Sequence, residues 1–249
     1  MIFRQLYEPL SSTYTYLLGD EDTGQAILVD PVIASMSRDL YEIQRLGPEL
    51  TYTLETHIHA DHITAALELK RAVGSKIAAP AYDRLPCSDL GIEEGKPFQV
   101  GGITLQPLHT PGHTDGHFAY HLNDRVLTGD ALLIEGCGRT YFQNGDADAL
   151  YKSVREKLFA LPEETLVYPC HDYQERFVSS IAQEKKRNPR LGGNKTLEEF
   201  KQIMANLNLP YPKFIDYAVP GNRQCGLCPT DLPENLAIYC QEMRESPQG

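Results

Sequence analysis

The densest chemistry in the chain is Thr56-His57-Ile58-His59-Ala60-Asp61-His62, with three histidines and an aspartate inside six residues. Imidazole and carboxylate are the nitrogen and oxygen ligands that zinc, iron and manganese accept. The whole chain has eight histidines in 249 residues, so three in one run are not a random scatter of surface side chains. Three further segments share one construction, an apolar run that ends at a potential ligand. Residues 105–109 lead into Pro111-Gly112-His113-Thr114, residues 125–127 into Thr128-Gly129-Asp130, and residues 165–168 into Pro169-Cys170-His171-Asp172. Gly112 gives the backbone the freedom for a sharp turn that aims His113. A single strand-end histidine carries little weight. Four strand ends that deliver His or Asp predict one metal-bearing rim.

Seven side chains are candidate ligands: His57, His59, Asp61, His62, His113, Asp130 and His171. They suffice for two ions (Zn, Fe or Mn) bridged by Asp130 and water, an arrangement that makes hydroxide near neutral pH. They equally suit one ion held on one face by two histidines and a carboxylate. That geometry leaves positions open for O2 and a substrate on Fe(II), and the other residues then hydrogen-bond to the ligands. Spacing alone does not choose between the two.

The elements that must position these groups follow from hydrophobic periodicity. Strands are expected at 13–18, 26–29, 51–54 and 76–79, with helices at 35–46 and 63–73 between them. Short strands follow at 98–100, 103–108, 118–122 and 125–127. Val100-Gly101-Gly102-Ile103 and Leu122-Asn123-Asp124-Arg125 supply their turns. Beyond these come a helix at 146–160, a strand at 165–168, and helices at 176–187 and 197–207. Residues 209–230, rich in Pro, Gly and Asn, read as an ordered tail packed on the body, and the last turn, 244–249, as frayed. No repeat or composition break divides the chain. The expectation is a single α/β domain over residues 1–249, with mixed sheets and a helical and extended portion from about 175 onward.

Bulk properties narrow the function. A net charge of −11 argues against nucleic-acid binding, which needs cationic surface for phosphates. Nothing approaches the ~18 consecutive apolar residues of a membrane span, and the first ten residues lack a signal-peptide pattern, so a cytoplasmic enzyme is expected. The six cysteines are scattered and read as reduced, structural thiols rather than a disulfide framework. Cys225-Gly-Leu-Cys228 is a CxxC pair without two further zinc ligands at a suitable spacing. Cys137 reads as a buried, inert thiol, and Lys185-Lys186-Arg187 as a solvated helix face.

The string His57-x-His59-x-Asp61-His62, with His113, Asp130 and His171, resembles the metallo-β-lactamase superfamily. That resemblance implies an αββα sandwich, two mixed sheets face to face with helices outside and metal at one rim. Gly136-Cys137-Gly138-Arg139-Thr140 is similar to the glutathione-linked branch, which holds glyoxalase II and persulfide dioxygenase. Five segments resemble the persulfide dioxygenase family: His59-Ala60-Asp61-His62-Ile63-Thr64, Arg139-Thr140-x-Phe142-Gln143, Tyr168-Pro169-x-His171-Asp172-Tyr173, Asn188-Pro189-Arg190-Leu191, and Asn206-Leu207-Asn208-Leu209-Pro210 running on to Ile215-Asp216-x-Ala218-Val219-Pro220. One departure is Tyr141, where that family usually has aspartate.

The resemblance implies one Fe(II) per chain on His57, His113 and Asp130, with His59, Asp61, His62 and His171 hydrogen-bonding around it. It assigns glutathione binding to Arg139, as a carboxylate clamp, and to Tyr173, as a hydrogen-bond donor. The implied substrates are glutathione persulfide and O2, the products sulfite and glutathione, and the assembly a homodimer. The alternative is a dinuclear glyoxalase II-type hydrolase of glutathione thioesters, in which His59, Asp61, His62 and His171 bind metal directly. A third reading, a non-catalytic sulfur sensor built on Cys225 and Cys228, predicts a filled coordination sphere.

Overall fold

A computed structural model describes residues 1–234, 237, 238 and 240; the turn at 244–249 lies outside them. Among the described residues the strands form two six-stranded mixed sheets. The first runs, in spatial and chain order, β1 (Ile2–Glu8), β2 (Thr13–Gly19), β3 (Gln25–Val29), β4 (Glu49–Leu54), β5 (Lys76–Pro80) and β6 (Leu90–Ile92). The second comprises β7 (Phe98–Val100), β8 (Ile103–His109), β9 (Phe118–Leu122), β10 (Arg125–Gly129), β11 (Leu166–Pro169) and β12 (Ser179–Ser180). Its order mirrors the first, from β12 to β7.

Period-two alternation sorts the side chains. Tyr16 and Leu18 of β2 and Ile27 and Val29 of β3 point between the sheets. There they meet Leu105, Phe118, Tyr120 and Leu127 of the second sheet in one core. Leu17 and Leu28, one register position away, face outward against Met36 and Ile43 of α1 (Met36–Leu46) and Leu69 of α2 (Ala66–Val73). On the far side, Ala119, Val126 and Val167 pack beneath α3 (Ala147–Lys152), the π-helical turn Ser153–Leu158 that continues it, α4 (Ile181–Arg187) and α5 (Leu197–Ala205). The layers are helix, sheet, sheet, helix, as the resemblance implies.

Strand direction makes the rim. β3 and β4 are parallel, so Val29 and Leu54 end at one edge of the first sheet. β10 and β11 are parallel as well, and β8 runs with them because it is antiparallel to β9, itself antiparallel to β10. The two edges are stitched together where the ligands emerge. The Tyr14 N–H donates to the Cys170 carbonyl at 2.8 Å and the Phe118 N–H to the Thr56 carbonyl at 2.8 Å. Buried Tyr120 donates its hydroxyl to the Glu55 carbonyl at 2.7 Å.

Three expectations need correction. The cysteines are not all reduced: Cys87 is bonded to Cys225 and Cys228 to Cys240, leaving buried Cys137 and Cys170 as the free thiols among the described residues. The first bridge joins residues 138 apart in sequence, a proximity only the fold creates, and it splits the CxxC pair between two bridges. The helix expected over 176–187 begins at Ile181. Asp172 instead collects the Gln174, Arg176 and Phe177 amides and the Arg176 guanidinium, holding that stretch as a loop. The tail at 209–230 contains a further helix, α6 (Ile215–Asn222), which Pro220 masks in a sequence reading. β1 and the three-residue β6 were also outside the expected set.

Candidate metal centre

The six residues after β4 belong to no strand or helix, and they are fixed by side chains instead. Asp30, at the end of β3 and 1 % exposed, is the hub. Its Oδ1 accepts from the Thr56 amide at 2.7 Å and lies 3.0 Å from His59 Nε2, and its Oδ2 accepts from the Thr56 hydroxyl at 2.9 Å. Having given its proton to Asp30, Thr56 Oγ1 can only accept from His57 Nδ1, 2.9 Å away. His57 therefore carries its proton on Nδ1 and presents the lone pair of Nε2, the form a metal binds. Burial, and then the neighbouring His59 and His113 rings, hold the His57 pKa well below its usual value, so the ring is neutral.

The other imidazoles are set by the same logic. His113 Nδ1 lies 2.8 Å from the Arg139 carbonyl, which can only accept, so its Nε2 is free to coordinate. His171 Nδ1 lies 3.0 Å from the Ser12 carbonyl, leaving Nε2 toward Asp61 Oδ2 at 3.5 Å and Asp130 Oδ1 at 3.6 Å. His62 Nδ1 lies 3.0 Å from Asp61 Oδ2. Burial opposes protonation of His59, but the Asp30 charge outweighs it and carries the pKa to about 9. Asp61 is held well below the carboxylate range, because His62 and His171 overcome the cost of burying its charge.

One ligand atom from each of His57, His113 and Asp130 lies within 4.8 Å of the others, with His113 Nε2 3.4 Å from Asp130 Oδ2. His59, Asp61 and His62 form a second such group, and Asp130 with Cys170 and His171 a third. All seven side chains singled out in the sequence thus meet at one rim. The donor set suits a cation. His59 Nδ1, His62 Nε2 and Asp130 Oδ1 are buried with no hydrogen-bond partner among the described residues, which native proteins rarely allow. Coordination is what such atoms supply. Gly112 takes φ +133°, and a Cβ there would stand 2.2 Å from the Leu150 amide nitrogen, so the turn that aims His113 requires glycine.

Arg139 and Tyr173 sit at the edge of this centre. The Arg139 side chain lies near the Tyr141 and Phe142 rings and donates to the Pro210 carbonyl at 2.8 Å. Tyr173, 70 % exposed, stacks on His171 with ring centroids 5.9 Å apart. Cys137 is buried, as expected, and burial pushes its thiol up to about 11.

Two residues escaped the sequence reading. Asp30 ends a strand, the same construction that flagged the other ligands, and that signal was available. His117 accepts the Asp130 amide on Nε2 at 3.0 Å, so its proton lies on Nδ1, 2.8 Å from Thr110 Oγ1. It fixes the backbone that carries a ligand, and nothing in its spacing announces that.

Residues 9–171 match the metallo-beta-lactamase superfamily. The chain is 46 % identical over 229 residues to the human mitochondrial persulfide dioxygenase ETHE1, covering 91 % of this chain and 89 % of that protein. The chain belongs to the persulfide dioxygenase family. The crystal structure of ETHE1 from Myxococcus xanthus is similar at a TM-score of 0.89 and 53 % identity, over 91 % of this chain and all of that one. A hydroxyacylglutathione hydrolase of Cereibacter sphaeroides is 39 % identical, but over only 66 % of this chain and 64 % of its own length. The persulfide dioxygenase likeness covers the larger share of this chain.

Proposed function

We propose that the chain is a persulfide dioxygenase that holds one Fe(II) on His57, His113 and Asp130 and oxidises glutathione persulfide. The balanced reaction is GSSH + O2 + H2O → GSH + SO3²⁻ + 2H⁺. The observation that carries the reading is the pair of fixed tautomers, His57 through Thr56 and His113 through the Arg139 carbonyl, beside the Asp130 carboxylate. They present two Nε2 lone pairs and one carboxylate toward one position. Fe(II) held by these three side chains would supply a partner for ground-state O2. His59, Asp61, His62 and His171 are proposed to orient the ligand set, and the burial of the site keeps bulk water from competing there. The whole of residues 1–249 is proposed to act as one domain, and the enzyme as a homodimer.

Arg139 is proposed to bind a glutathione carboxylate, with Tyr173 donating to the same peptide. A charge-assisted hydrogen bond to a carboxylate contributes about 1.5–3 kcal/mol. Arg139→Ala is therefore expected to raise KM for glutathione persulfide roughly 10- to 100-fold, with a smaller change in kcat. The main-chain carbonyl that orients His113 remains in this variant. Steady-state kinetics that show a fall in kcat at unchanged KM would contradict the clamp.

A second reading has its own observation. The unpartnered His59 Nδ1 and His62 Nε2 are the atoms a second metal would use, as in a dinuclear thioester hydrolase. Metal content and an oxygen electrode separate the two. The dioxygenase reading expects about one iron per chain and O2 uptake strictly dependent on persulfide. No uptake by the iron-loaded protein ends it. About two metals with oxygen-independent thioester cleavage establishes the alternative.

A further inference from the structure

Asn222 closes α6 and is 4 % exposed. Its Oδ1 accepts the Thr64 amide at 2.9 Å, and its Nδ2 donates to the His59 carbonyl at 2.9 Å and the His62 carbonyl at 2.8 Å. Both protons of the amide and its oxygen are thus used on one loop, the loop that carries His57, His59, Asp61 and His62. Asp30 anchors the start of that loop, through Thr56 and His59. Asn222 spans its second half, reaching across 158 to 163 residues of sequence. No other side-chain type of this size offers one acceptor and two donors in a plane.

The helix that presents Asn222 is weakly anchored on its own. It has eight residues, Pro220 interrupts it, no side chain caps its N-terminus, and Phe214 and Ala218 form only a small cluster with half-buried Leu232. Three residues beyond Asn222, Cys225 is bonded to Cys87 in the segment that follows β5. Cys225 packs against Ala66 and Ile77, and its carbonyl accepts the Leu67 amide at 3.0 Å. Its backbone takes φ +56°, a left-handed conformation that a non-glycine residue keeps only where its surroundings impose it. The disulfide is a covalent part of those surroundings.

We propose that Asn222 is a positioning residue of the metal centre, and that the Cys87–Cys225 disulfide is a thiol-sensitive lock that keeps it on the His59–Thr64 backbone. The proposal rests on the metal-centre reading and not on the identity of the substrate. Opening the lock is thiol–disulfide exchange. A dithiol's thiolate attacks Cys87 Sγ, the less buried sulfur, and Cys225 leaves as a thiolate and takes up a proton. The second sulfur of the dithiol then displaces Cys87, which is protonated in turn. The reductant gives up two electrons and ends as its own disulfide. With the bridge open, α6 is tied to the body by non-covalent contacts alone, and the loop loses its clamp.

The test uses the iron-loaded full chain under anaerobic conditions, without persulfide or O2. Release of iron to a chromogenic Fe(II) chelator is followed together with hydrogen exchange at residues 57–64. Asn222→Ala and Cys87→Ser are each expected to release iron about tenfold faster or more, as for other residues that orient metal ligands, and to exchange faster in that loop. Wild-type protein treated with a dithiol, which is then removed, should behave like Cys87→Ser. Leu158→Ala, in the helical layer over the second sheet, provides a control matched for unfolding temperature. Iron release by Asn222→Ala no faster than by this control overturns the positioning role. Wild-type release rates in both Cys87→Ser and the dithiol-treated protein overturn the lock, and they do so even where Asn222→Ala fails to fold. Failure of the dioxygenase reading would show itself in O2 uptake and leave these measurements untouched.

Discussion

Replacing His57, His113 or Asp130 by alanine is expected to remove the metal and reduce persulfide-dependent O2 uptake to the background rate. Each supplies one atom of a three-atom set that lies within 4.8 Å, so its loss leaves two of the three proposed ligands. The contrasting variants are His59→Ala, Asp61→Asn, His62→Ala and His171→Ala. If one ion is bound, these lose hydrogen bonds around the ligands and lower metal affinity roughly 10- to 100-fold, so that saturating iron restores much of the activity. If two ions are bound, each of the four removes a ligand of the second metal, and the metal count falls by about half. Elemental analysis beside an oxygen electrode reads both quantities on the same samples. Full metal content in His57→Ala, His113→Ala or Asp130→Ala would refute the ligand assignment, whatever the activity.

The legibility of the site follows from where its information is stored. The convergence of the candidate ligands was readable because strand ends in a parallel arrangement must share an edge: β4, β8, β10 and β11 each hand a His or Asp to the rim. Layer order was readable because Leu17 and Tyr16 differ by one register position and pack into different clusters. What sequence could not supply is the partnering of atoms far apart in the chain. Asn222 bonding three main-chain groups in the metal loop, Cys87 meeting Cys225, and His117 holding the Asp130 amide are products of packing. The start of α4 failed for a related reason. Residues 176–180, Arg-Phe-Val-Ser-Ser, are mostly weak helix formers, and the buried Asp172 offers the Arg176 and Phe177 amides an acceptor in place of a helical turn.

Asp30→Asn is expected to weaken metal binding about 10- to 100-fold while leaving the fold nearly intact. Asparagine matches aspartate in size and tolerates the left-handed backbone that residue 30 adopts, φ +49°, so the substitution alters little but the proton inventory. In one orientation its amide oxygen keeps the Thr56 amide and His59 Nε2, and its NH2 faces Thr56 Oγ1, 2.9 Å from the present Oδ2. The Thr56 hydroxyl then receives a hydrogen bond where it used to donate one, and its own proton turns to His57 Nδ1. His57 must move its proton to Nε2, the atom meant for the metal. In the flipped orientation the NH2 group opposes the Thr56 amide and leaves it unpaired at a cost of about 1–3 kcal/mol. Either way the ligand set is compromised from one atom further out. Thr56→Val removes the same relay, so the double variant should cost little more than either single change, a non-additivity expected of residues in one chain of hydrogen bonds. Competition against a calibrated Fe(II) chelator measures the affinity and thermal unfolding the fold. Wild-type affinity in Asp30→Asn, or full additivity with Thr56→Val, would mean that the Asp30 carboxylate does not set the His57 tautomer.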